Sequence, residues 1–131
     1  MYEQPPAINL ACILLAGPLL IYVGLQRPVQ EWPYYILYAL GVVLTIAFAC
    51  LLGRDAIRKT LHLPRTAFFL FHILVAGPLL LYVGVVAIHM NGHANIAPVA
   101  YTLLILLGIA AIIFHTFRLG KSVTRDFRFS E

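Results

Sequence analysis

A chain of 131 residues that is 62% hydrophobic and 11% charged lies outside the composition of soluble domains, where roughly a quarter of residues carry charge. Its nine Lys and Arg against five Asp and Glu give a formal charge of +4, but the basic residues gather beside apolar runs, the pattern of topogenic charge rather than of a nucleic-acid footprint. Lipid is the solvent these numbers call for, and nucleic acid is not the partner.

Met1 to Pro6 is a polar lead whose two prolines suit the first turn of a helix. A first span follows, about Ala7 to Leu25. Nineteen or so residues at about 1.5 Å each match a hydrocarbon layer of about 30 Å. The lead carries no positive residue, and the span has a near-copy later in the chain, so it reads as an uncleaved helix rather than a signal peptide. Pro18 lies mid-span with Gly17 beside it, and a kink is expected there.

Gln26 to Pro33 is a polar turn, and Trp32, Tyr34, Tyr35 and Tyr38 stand at the mouth of the second span as headgroup-level aromatics do. That span runs about Tyr34 to Leu52. Gly53 to Thr66 is the most basic connection, with Arg54, Arg58, Lys59 and Arg65 against Asp55, and begins as a short amphipathic continuation of the helix before Pro64. The third span, about Ala67 to Ile88, has Pro78 where the first has Pro18, so a second kink is expected in the matching place. His89 to Ala97 reads as a loop. The fourth span covers about Pro98 to Phe117, and a tail follows with Arg118, Lys121, Arg125 and Arg128.

The spans repeat. Ile13 to Gly24 reads ILLAGPLLIYVG and Ile73 to Gly84 reads ILVAGPLLLYVG, about ten of twelve positions being identical at an offset of sixty. At an offset of sixty-seven, Tyr34 matches Tyr101, Leu37 matches Leu104, Gly41 matches Gly108, and Leu52-Gly53-Arg54 matches Leu119-Gly120-Lys121. The expected fold is all-α: one polytopic domain over residues 1–131 with four transmembrane helices as two parallel-repeated helical hairpins. The first hairpin covers about 7–53, a basic loop 54–66, the second hairpin about 67–120 and a basic tail 121–131. With basic residues concentrated in the middle loop and the tail, the positive-inside bias puts both termini on the cytoplasmic or equivalent side.

No Asp, Glu, Lys or Arg falls inside these four spans, which argues against ion-coupled carriers, proton pumps and voltage sensors. No nucleophile, base and orienting acid assemble, so hydrolytic catalysis is not expected. Cys12 and Cys50 lack a CxxC spacing and read as reduced, buried thiols. The sharper feature is His72 near the start of the third span and His115 near the end of the fourth. Antiparallel helices bring those ends to one leaflet, where two neutral imidazoles can hold a haem b iron or a transition metal. Phe68, Phe69, Phe71, Phe114 and Phe117 would line such a pocket, and would equally form an interfacial aromatic belt. Adjacent helices pack about 8–10 Å apart, tight for a porphyrin. The first hairpin has Cys12 and Phe48 at the matching positions, so a symmetric two-haem arrangement is excluded. The alternative is that each imidazole bonds a carbonyl or an interfacial water. His62 is a conceivable third ligand for zinc.

The second hairpin, FHILVAGPLLLYVG followed by LLILLGIAAIIFHTFRLGK, resembles small His-containing membrane-hairpin proteins of large DNA viruses of algae and protists, which carry one His before PLLxYxG and another after LLxxLG. The first hairpin follows the pattern less fully, with Cys12 and Phe48 at the His positions. The resemblance implies a virion-membrane or host-organelle membrane protein and links His72 with His115.

The functional expectation is a structural or assembly subunit. Its apolar faces would meet lipid and other membrane proteins or further copies. Arg54, Arg58, Lys59, Arg65, Arg118, Lys121, Arg125 and Arg128 would meet acidic headgroups or an acidic partner, at about 1 kcal/mol per basic residue near anionic lipid. The same charges also satisfy topology with no partner. The competing expectation is a bis-histidine redox protein using His72 and His115.

Overall fold

The computed structural model describes residues 5–90 and 92–128, with side chains through residue 125. Arg128 is described in its backbone alone, and Met1 to Gln4, Asn91 and the last three residues of the tail lie outside the described residues. Four helices are long and apolar enough to cross a membrane: α1 (Pro6–Gln26), α2 (Trp32–Ile57), α3 (Leu63–His89) and α4 (Pro98–Arg128). Among the described residues no strand occurs, and the chain is all-α with four candidate transmembrane helices.

Proline sets each helix start. Pro6, Pro33, Pro64 and Pro98 all fall in a first turn, where the missing N–H belongs to a group with no intrahelical partner. Pro64 thus opens α3 rather than ending the loop before it, and α3 begins four residues ahead of the sequence expectation. His89 is the last residue of α3, and His93 opens a short 3-10 turn over His93–Asn95. Beyond Phe117, where charge suggests a tail, α4 continues to Arg128. No proline interrupts it there, and Arg118, Lys121 and Arg125 fall three and four residues apart on one face.

At both mid-span prolines the helix widens. Cys12–Ala16 and His72–Ala76 form π turns, in which the Gly17 N–H reaches the Cys12 carbonyl and the Gly77 N–H reaches the His72 carbonyl. A proline ring clashes with the carbonyl four residues back, and one extra residue in the turn removes that conflict. The glycine before each proline is needed at the same place. A Cβ on Gly17 would lie 3.1 Å from the Cys12 carbonyl oxygen, and on Gly77 2.9 Å from that of His72.

The chain divides into two compact units, one of residues 1–27 with 101–131 and one of residues 28–100. Each therefore takes one long helix from each repeat: α1 with α4, and α2 with α3. In the first unit, a Cβ on Gly17 would meet Ile112, on Gly24 it would meet Ile105 and the Tyr101 carbonyl, and on Gly108 it would meet Leu20 and Ile21. Contacts that descend one helix while climbing the other make the pair antiparallel. In the second unit, Gly77 faces Thr45, Gly84 faces Tyr38, and Gly41 faces Leu80 and Leu81. Applying the offsets of sixty and sixty-seven turns one set of contacts into the other, so the two units share one register. The side chains sealed from solvent match as well. Leu20, Val23, Tyr101 and Leu104 in the first unit correspond to Leu80, Val83, Tyr34 and Leu37 in the second, all at most 4% exposed. Small residues let the backbones approach, and close packing is what holds helices together where lipid is as apolar as the side chains.

Candidate functional site

The two units differ where their shared pattern breaks. In the second unit Phe48 on α2 packs against Phe69 on α3, ring centroids 5.5 Å apart, and edge-on against Phe68 at the same separation. The matching positions in the first unit are His115 on α4 and Asn9 on α1. Their side chains are hydrogen-bonded, Nδ1 of His115 lying 2.8 Å from Oδ1 of Asn9, and both residues are buried. An amide oxygen accepts, so in this bond the Nδ1–H of His115 is the donor. An apolar aromatic pair in one unit is thus a polar pair in the other. Two buried polar groups inside a membrane span are costly singly and tolerable together.

His72 is placed differently. It opens the π turn of α3, and its Nδ1 lies 2.8 Å from the carbonyl oxygen of Phe68, one turn back on its own helix. Phe48 and Phe68 stand over the ring at 4.4 and 4.3 Å between centroids, and Phe71 meets it edge-on at 5.5 Å. The ring is half-buried. Both imidazoles therefore hold their Nδ1 on an oxygen inside their own unit, and the two histidines belong to different units. His62 is exposed in the α2–α3 connection. Among the described residues, no three His, Cys, Asp or Glu side chains converge as a metal site.

A second polar pair joins the ends of α2 and α3. Asp55, on the last turn of α2, is 4% exposed, and its carboxylate faces Arg65 in the first turn of α3. Nε of Arg65 lies 3.0 Å from Oδ2, and Nη2 donates to Oδ1 at 3.3 Å. The Nε contact is close but poorly aligned for a hydrogen bond, so the pair is held by charge and by the Nη2 bond. Arg54 adds a looser approach of 3.6 Å, and the Arg65 guanidinium also lies over the Phe69 ring at 5.3 Å. Asp55 further accepts, through its carbonyl, the Thr60 N–H, while the Lys59 N–H reaches Ala56. These two bonds close α2 with Lys59 in the left-handed region at φ 55°.

Arg54, Arg58 and Lys59 stand exposed around this connection, and Arg65 is half-buried. On α4, Arg118 lies back over Phe114 at 5.2 Å and Lys121 over Phe117 at 4.5 Å, with Arg125 exposed one turn further. Basic heads folded over aromatic rings at the end of an apolar span mark the level at which a helix leaves lipid. The second unit gathers its four basic residues at one end of its helix pair, and the first gathers Arg118, Lys121 and Arg125 at one end of its own, with Arg27 at the other.

Sequence reasoning named His115 but missed Asn9, and it read Asp55 as a loop charge and Arg65 as a headgroup or partner contact rather than as a pair. A signal was present. Asn9 departs from the repeat at Phe69, as His115 departs at Phe48, and paired departures at facing positions point to contact. Arg27 went unremarked as well: it caps α1 with φ 45° and lies 4.7 Å over the Tyr101 ring. No known family model matches the chain, and no curated protein or solved structure is significantly similar to it.

Proposed function

We propose that this chain is a structural or assembly subunit of a membrane complex, both termini on the cytoplasmic or equivalent side, with its basic α2–α3 connection and the basic end of α4 against acidic headgroups or an acidic partner. The observation that carries the reading is how the polar groups inside the spans are used. Asn9 and His115 satisfy each other, and His72 bonds its own helix. A carrier or an enzyme would turn such groups toward a shared cleft. Around them, Leu14, Leu15, Val43, Ile46, Leu74 and Ile113 are each about 60–70% exposed, a surface suited to lipid and to neighbouring membrane proteins. The resemblance of the second hairpin to viral membrane hairpins supports a virion or host membrane as its place.

Extraction in mild detergent followed by native separation and mass spectrometry tests the reading. Recovery within a larger assembly is the expected result, and a lone monomer under every mild condition would overturn it. Cysteine labelling from each side tests the topology: the α2–α3 connection and the C-terminal end must react from the same side.

The alternative, a haem- or metal-binding redox protein using His72 and His115, has one observation in its favour. Each Nδ1 is held by an oxygen, which is how ligating imidazoles are oriented with Nε2 toward a metal. An absorption spectrum of purified protein decides. A Soret band lost in His72→Ala and in His115→Ala would favour the cofactor, and a colourless, metal-free preparation would remove it.

A further inference from the structure

We infer that two polar pairs, Asn9 with His115 and Arg65 with Asp55, decide which helix each span takes as its close partner. The glycine contacts cannot make that choice. α1 and α3 present nearly the same face, and so do α2 and α4 at their matching positions. The groove beside Gly17 that receives Ile112 is, at Gly77, filled by Thr45; Gly24 receives Ile105 where Gly84 receives Tyr38. The shared glycine positions let α1 meet α2 in the same register as it meets α4, and both choices are antiparallel. Loop closure does not make the choice for α2 either, since five residues join it to α1 and five join it to α3.

The residues that break the repeat remove the ambiguity. Pairing α1 with α2 and α3 with α4 would set Asn9 against Phe48 and His115 against Phe69. Each polar group would then be buried against an aromatic ring. It would also set the carboxylate of Asp55 against the position of Pro5, and Arg65 against Ser122. The observed pairing satisfies Asn9, His115 and Asp55 at once. A buried polar group that is met in one arrangement and orphaned in the competing one selects between partners even where it adds little stability, as a single asparagine does in a coiled coil. Here the two pairs use different chemistry, one an imidazole on a carboxamide and one a carboxylate on a guanidinium, and sit in different units, so both units are specified.

The test exchanges the code while conserving composition and net charge. The full-length chain, with Cys12→Ser and Cys50→Ser, carries reporters Leu20→Cys, Gly41→Cys and Gly108→Cys. The ideal Cβ of Gly108 lies 3.1 Å from Cβ of Leu20, and Gly41 is its counterpart on α2. After mild oxidation in membranes, trypsin cuts at the exposed Arg58 and Lys59. A disulfide from position 20 to position 108 spans the cut and keeps one non-reduced band, whereas one from position 20 to position 41 does not.

With the native code, the 20–108 bond should dominate by tenfold or more. Adding Asn9→Phe, Phe69→Asn, Asp55→Ser and Ser122→Asp moves both polar partners to the other repeat, and should invert the ratio toward 20–41. A chain with Asn9→Phe, His115→Phe, Asp55→Ser and Arg65→Met has both members of each pair erased, and should give both bonds within about threefold of each other. Retention of the native ratio in either folded variant overturns the inference. If the exchanged chain is lost to aggregation, the erased chain decides alone.

Discussion

Gly24→Ala and Gly84→Ala test the close approach of helices on which both units rest. The ideal Cβ at Gly84 lies 2.6 Å from Cβ of Tyr38 and 3.0 Å from its Cα; at Gly24 it lies 2.5 Å from Cγ1 of Ile105 and 2.7 Å from the Tyr101 carbonyl oxygen. At Gly84 the facing atoms are Cβ and backbone of Tyr38, and at Gly24 the Tyr101 carbonyl remains in place even if Ile105 turns, so the helices must part by about 0.5–1 Å to restore ordinary contact. An interface patch equal to one buried leucine holds about 40–60 atom contacts of about 0.1–0.2 kcal/mol each, and such a gap forfeits about a quarter of their depth. The loss is then about 1–3 kcal/mol, against a gain of up to about 1 kcal/mol from replacing a helical glycine by alanine. Gly53→Ala and Gly120→Ala serve as controls, because a Cβ there meets nothing within 4 Å. Reversible unfolding in mixed mild-detergent and SDS micelles, followed by circular dichroism, reads the difference. Gly24→Ala and Gly84→Ala should each lose about 1–2 kcal/mol net, while the controls hold or gain. Equal stability of all four variants would refute the reasoning, as would a marked difference between Gly24→Ala and Gly84→Ala, since the two interfaces are counterparts.

Lys59→Gly should raise stability by about 0.5–1 kcal/mol in the same assay, because glycine takes the left-handed conformation at φ 55° without the clash a Cβ brings. Asp55→Asn should cost about 1–3 kcal/mol, less than a fully buried pair would lose because the Arg65 side chain is 26% exposed. The loss should shrink when Arg65→Met is added, which a double-mutant cycle measures. Tyr34→Phe should cost about 1–2 kcal/mol by leaving the Pro28 carbonyl without the hydroxyl that donates to it at 2.9 Å within the buried start of α2. A neutral result would mean that solvent reaches that carbonyl.

Local pattern alone told a good deal about this protein. Apolar runs of about twenty residues, the doubled PLLxYxG stretch and the positions of Pro18 and Pro78 lie along the chain, and the membrane-spanning character and the sites of helix irregularity follow from them without tertiary contacts. Even the form of the irregularity has a local cause, since a π turn answers a proline with a glycine before it. Helix ends were less legible. Charge at Arg65 and Arg118 suggested boundaries, yet a helix can continue into water when its basic heads lie along one face and fold back over Phe114 and Phe117.

Partner choice was not legible, and tandem duplication is the reason. Two copies of one glycine-lined surface are complementary to either of two helices, so a sequence can specify that close pairs form without specifying which. Reading hairpins from the repeat pairs α1 with α2 and α3 with α4, whereas the folded chain joins α1 to α4 and α2 to α3 within its two units. Contacts between residues about a hundred positions apart, such as that of Asn9 with His115, settle the matter, because burial in a low-dielectric interior makes an unmet polar group far more costly than any local preference can offset.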